Sequence, residues 1–79
     1  MRYSTSMQAL TPHAGEIIQA HRRNSGLTQA QAAEQMGISQ PRWSYMESRA
    51  SISTALIPAV AGVLGVPVRA LALELLGLQ

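Results

Sequence analysis

The sequence predicts an all-α chain of five short helices, and three observations predict it. Apolar residues recur at helical spacing in separate short stretches. A capping residue or a proline opens each stretch: Thr11-Pro12, Thr28, Ser39 with Pro41, Ser53 or Thr54, and Pro67. A glycine stands where four of them should stop, at Gly26, Gly37, Gly65 and Gly77.

Residues 1–10 show no clear period and read as a flexible N-terminal arm, with Met7 a second candidate start. The first helix follows, with Thr11 as N-cap and Pro12 at its first position. Its inward face is expected to be Ala14, Ile17, Ile18 and His21, with Leu27 packing after it. Glu16 suits the positive end of the helix dipole, and Arg22 and Arg23 suit the negative end.

The second helix begins at Thr28, which forms a capping-box pattern with Gln31. Ala30, Ala32, Ala33 and Met36 are its expected apolar face. Gly37 supplies the left-handed turn residue, and Ile38 can plug the corner. Ser39 caps a third helix over 40–47 in which Trp43 and Met46 face inward. Gln40, Arg42, Ser44 and Tyr45 are left facing outward.

This segment, TQAQAAEQMGISQPRWSYME, resembles the helix-turn-helix of the phage-repressor-like, or Xre-type, regulators. The resemblance rests on Gln29, Ala33, Gly37, Ile38, Trp43, Met46 and Glu47 at fixed spacing. It implies a five-helix phage-repressor-like DNA-binding domain with the helix-turn-helix at helices 2–3. It also implies a transcriptional regulator, acting as a repressor, whose third helix enters the major groove. Gln40, Pro41, Arg42, Ser44 and Tyr45 are then the base-contacting candidates; Gln suits adenine, Arg suits guanine, and Pro41 suits a thymine methyl. Gln29, Ser39, Arg23, Ser48 and Arg49 are the phosphate candidates. The family's usual ion pair maps onto Arg22 and Glu47. The arm is either a loose tail or, as in some other DNA binders, a segment whose Arg2 and Tyr3 reach DNA or a partner subunit.

Three positions depart from the family pattern. His21 stands where a Leu-like residue is usual, and is either a partly buried, hydrogen-bonded histidine or a pH-sensitive contact. Arg49 replaces a glycine; it either contacts phosphate or is solvated, and a positive φ there would be costly. Trp43 falls at a buried position and is expected in the core rather than stacked on bases.

The polar loop Ser48 to Ser53 leads to a fourth helix that runs to about Leu64, with Leu56, Val60, Val63 and Leu64 as its apolar spacing. Pro58 demands a late or kinked start. The fifth helix, over 67–76, carries five leucines in Val68–Leu78 that fall on more than one face. Such a helix needs two partners. One is the chain's own core. The other is a second copy, with Leu71, Leu73, Leu75, Leu76 and Leu78 at the dimer interface. A single wide core-facing surface is the alternative.

At 79 residues, the chain beyond the arm (11–79) reads as one domain, whose core supplies only a few kcal/mol. Its net charge of +2 comes from six arginines, with no lysine and no aspartate. That is modest for a DNA binder, so dimerisation on a near-palindromic site would double it. An enzyme is not expected. The acids Glu16, Glu34, Glu47 and Glu74 are dispersed, His13 and His21 lie two helical turns apart, and no phosphate loop is present. No metal and no cofactor are expected. The GxxG match at Gly62–Gly65 lacks basic residues and flanking strands. The uncharged run Ala55–Val68 is 14 residues long, too short for a bilayer span of about 18–20. No signal peptide is evident, so a cytoplasmic, nucleoid-associated protein of a prokaryote or phage is expected. The rival reading is an antitoxin that binds a toxin protein and represses its own promoter.

Overall fold

The computed structural model describes residues 13–77. These form α1 (Ala14–Asn24), α2 (Gln29–Met36), α3 (Gln40–Glu47), a 3-10 turn (Thr54–Leu56), α4 (Ile57–Leu64) and α5 (Val68–Leu76). No described residue is in a strand. The expected N-terminal arm, Thr11, Pro12 and Leu78 lie outside the described residues.

In the described chain His13 holds the N-cap position of α1 and makes no side-chain cap. The capping is tertiary instead. The N–H groups of Ala14 and Gly15 donate to the carbonyls of Ala50 and Arg49, both at 3.0 Å. The first orphan donors of α1 are thus satisfied by the loop that follows α3. The buried face of α1 is Ala14, Gly15, Ile18 and Arg22. Ile17 packs against the core at the edge of this face and His21 is half-buried beside it.

Helix α2 starts as expected. Thr28 accepts from the Gln31 N–H, and the Gln31 side chain accepts from the Thr28 N–H. Ala32 and Ala33 are buried, but Ala30 is exposed. At about 100° per residue, Ala30 falls outside the stripe shared by Ala32, Ala33 and Met36. Gly37 has φ +79, a conformation that glycine adopts without a Cβ penalty. Ile38 donates its N–H to the Ala33 carbonyl at 3.0 Å and packs on the core.

In α3 the Ser39 hydroxyl accepts from the Arg42 N–H, and Pro41 sits in the first turn. Ser53, not Thr54, caps the next element, which opens with a 3-10 turn before α4. That turn resolves the Pro58 problem, because Pro58 falls in the first turn of the α-helix, where an N–H has no partner to lose. It also shifts the apolar register. Leu56 belongs to the turn and is exposed, whereas Ile57, Val60, Ala61 and Leu64 are buried at helical spacing.

Helix α2 packs on α3 and α4, α1 lies against α3 and α5, and α5 packs on α4. The largest fully buried side chains are Ile18, Trp43, Val60 and Leu71, one each from α1, α3, α4 and α5. Each contributes about 1.5–3 kcal/mol of burial. Leu71 is 0% exposed, which removes it from the expected dimer interface and assigns it to the chain's own core. Leu75 also packs on that core, half-buried. Leu73, Leu76 and Val68 are exposed.

His21 proves to be hydrogen-bonded and partly buried. Its Nε2 lies 2.6 Å from Glu74 Oε1 and joins α1 to α5. Ser25 Oγ lies 2.9 Å from the carbonyl oxygens of both His21 and Leu64, so it bridges the ends of α1 and α4. Among the described residues, no helix is long and apolar enough to cross a membrane.

Candidate nucleic-acid interface

Helix α3 has two unlike faces. Trp43 and Met46 are buried beneath it. Gln40, Pro41, Arg42, Ser44 and Tyr45 are all exposed on the other side. A rigid helix with a free polar face is what direct readout in a major groove requires.

What holds α3 rigid is its last residue. The Glu47 side chain is 3% exposed. Its Oε2 accepts from Arg22 Nε at 2.6 Å and from the Trp43 indole N–H. Its Oε1 accepts from Gln29 Nε2 at 2.9 Å and from a second Arg22 nitrogen at 3.3 Å. Arg22 also donates to the Leu27 carbonyl at 2.9 Å. One carboxylate therefore ties together α1, the start of α2 and α3 itself, and Arg22 extends the link to the turn before α2. No buried side-chain polar atom lacks a partner among the described residues. Burial by itself would raise the Glu47 carboxyl; the hydrogen bonds from Arg22, Gln29 and Trp43, with the Arg22 charge, outweigh it. The group is held below its ordinary value.

Gly15 allows α1 to press on the end of α3. A Cβ at Gly15 would stand 2.2 Å from the Glu47 carbonyl oxygen and 2.8 Å from that of Arg49. Sequence reasoning passed over this residue. The available signal was a glycine within a helical pattern, which is costly unless another backbone comes close.

The phosphate candidates are placed unevenly. Ser39 accepts a hydrogen bond from the helix start, so its own proton can still be donated outward. Gln29 uses one amide proton on Glu47 and keeps a second. Arg23 is exposed near the C-terminal end of α1, and no described contact ties it to α3. Ser48 Oγ donates to the Tyr45 carbonyl at 2.6 Å, which leaves the hydroxyl no proton for a phosphate in this geometry.

Arg49 does not carry the positive φ that a glycine site would demand, since no described non-glycine residue does. It is not simply solvated either. Its guanidinium donates to the Tyr45 hydroxyl at 2.9 Å, with its carbon 5.2 Å from the ring centroid. An open groove of about 690 Å³ lies beside this pair, between α3 and the loop that leads to α4. No cluster of three or more metal-ligating side chains occurs among the described residues.

Two short helices joined by a glycine turn, the second with one face locked and the other free, define a helix-turn-helix protein. The family model for the helix-turn-helix domain matches residues 13–75, and the chain belongs to that family. Among solved structures it is similar to the clp gene regulator ClgR from C. glutamicum. The two share 28% identity over 84% of this chain and 91% of that one, with a TM-score of 0.68. No curated protein matches the sequence. Together with the fold, these matches establish a helix-turn-helix protein of the DNA-binding transcription regulators.

Proposed function

We propose that the protein is a sequence-specific repressor that reads DNA as a homodimer, with α3 in the major groove. The observation that carries this reading is the division of α3: Trp43 and Met46 sealed beneath, and Gln40, Pro41, Arg42, Ser44 and Tyr45 free above. Gln40 at the helix start suits adenine, Arg42 suits guanine N7 and O6, and Pro41 suits a thymine methyl. Ser44 and Tyr45 read further along the groove. Ser39, Gln29 and Arg23 fix the register on phosphates, with Ser48 contributing only if its proton leaves the Tyr45 carbonyl, whereas Arg49, first a phosphate candidate, is engaged by the Tyr45 side chain. The similarity to a gene regulator supports the same reading.

Dimerisation uses the exposed face of α5, now reduced to Val68, Leu73 and Leu76 with Leu75 at its edge. Two copies would present their α3 helices about 34 Å apart on a near-palindromic site. Such a protein works on the cytoplasmic nucleoid. In the antitoxin alternative, the α5 face binds a toxin instead of a second copy.

Selection from randomised duplex DNA at about 0.15 M salt tests the function, because weak non-specific binding is suppressed there. Enrichment of two inverted half-sites one helical turn apart is expected. Failure to enrich any motif overturns sequence-specific regulation.

A further inference from the structure

We propose that Arg49 is a specificity-determining positioning residue, which makes Tyr45 a hydrogen-bond donor that reads an acceptor on a base edge. The proposal rests on the placing of Tyr45 among the base-reading residues. It begins from the polarity of one hydrogen bond. A guanidinium can only donate. The 2.9 Å contact from Arg49 therefore fills an acceptor position on the Tyr45 oxygen. The phenol's single proton must then point to some other acceptor.

Tyr45 is 61% exposed on the free face of α3, so packing alone does not hold its ring. The guanidinium against the ring and at its hydroxyl supplies that hold. Arg49 lies just past the end of α3, on the same side as Tyr45 one turn earlier. A donor hydrogen-bonded to a cation is also a stronger donor in turn. In the major groove, the partners for a donor are guanine N7 and O6, adenine N7 and thymine O4. The cytosine and adenine amino groups are themselves donors and are disfavoured. Arg49 thus narrows what an otherwise ambivalent phenol accepts, without touching the base itself.

The experiment compares the affinity ratio, selected operator over unrelated duplex, for the wild type, Y45F, R49A and the double variant. Thermal unfolding of each checks the fold. Each single variant should lower the ratio about fivefold, the size of one hydrogen bond. The double variant should fall no further, because both changes remove the same contact. In the wild type, one base analogue lacking its acceptor, such as a 7-deazapurine, should cost the same factor and cost Y45F nothing. Methylphosphonates at neighbouring phosphates should leave the Y45F effect intact. If R49A weakens both duplexes equally and keeps the ratio, Arg49 is a phosphate contact and the proposal falls. Losses that multiply in the double variant also overturn it. If a methylphosphonate, and no base analogue, erases the Y45F effect, the hydroxyl reads backbone and the base assignment is wrong. Failure of the wild type to select any operator is seen before a variant is made, and removes the regulator reading itself.

Discussion

The indole N–H of Trp43 donates to the carboxylate of Glu47, one turn further along the same helix. A tryptophan is therefore accommodated in the core of α3 because its polar atom meets the group that already receives Arg22 and Gln29. Breaking this network leaves a buried charge without its partner. Arg22→Ala or Glu47→Ala should each destabilise the protein by about 3–5 kcal/mol. Trp43→Phe keeps an aromatic ring in the core but removes one donor and leaves a small void, and should cost about 1–3 kcal/mol. Urea unfolding of the three variants checks the order. Equal small losses would show that the carboxylate is not the link between the helices.

The same carboxylate sets an acid limit. Its folded value lies below the ordinary one, so protonation favours the unfolded chain. The stabilisation is fully present above the unfolded carboxyl value of roughly 4.3 and is lost as pH falls through the lower folded value. The melting temperature should drop through that acid window. Glu47→Gln, already less stable at neutral pH, should show a shallower drop. Parallel curves for the two proteins would assign the acid sensitivity to other carboxyls.

Two glycines on helices should respond oppositely to the same change. Gly62 is in α4, exposed, with nothing within 4 Å of an added Cβ. Gly62→Ala should stabilise by about 0.5–1 kcal/mol through helix propensity. Gly15→Ala would drive a methyl into the backbone of Glu47 and Arg49. It should destabilise by about 1–3 kcal/mol or more, as overpacking does. Thermal unfolding of both decides, and a stabilised Gly15→Ala would mean that α1 does not press on α3 in solution.

Where the sequence was legible, the signals were local. Thr28 with Gln31, Gly37 and Ser39 with Pro41 each act within a few residues, and they place α2 and α3 where they are observed. What it did not show depends on partners far along the chain. The start of α1 is capped by the carbonyls of Arg49 and Ala50, and no pattern in residues 11–16 announces that. Ser25 and Leu64 meet across 39 positions for the same reason. Spacing alone sets Leu71 and Leu75 on a different stripe from Leu73 and Leu76, but a helix apolar nearly all round does not say which stripe faces the core; the partners on α1 and α4 decide it. The exposed face of α3, which the proposal assigns to reading DNA, was legible because Trp43 and Met46 claim the opposite side.

Gln40 leads that face, at the first position of α3. On the selected operator, Gln40→Ala should cost about 1–3 kcal/mol, the size of one bidentate base contact. The loss on unrelated duplex should be much smaller. Fluorescence anisotropy at one fixed salt concentration gives both affinities. An equal loss on the two duplexes would move Gln40 from base reading to general attraction.

The division of α5 separates folding from assembly. Leu71 is sealed in the core, whereas Leu76, five residues further on, is 53% exposed. Leu71→Ala should therefore cost about 2–5 kcal/mol and unfold much of so small a domain. Leu76→Glu removes no core contact and should leave the melting curve of the monomer unchanged. In the proposed dimer it places a charge on each copy at the shared face, where like charges oppose each other across a two-fold axis. Sedimentation of the wild type should show a dimer that dissociates on dilution, and Leu76→Glu should stay monomeric at the same concentration. Operator affinity should fall with it, since one copy grips only a half-site. A Leu76→Glu protein that still sediments as a dimer would move the interface off α5. A wild type that is monomeric at every concentration would leave two half-sites to be bound independently.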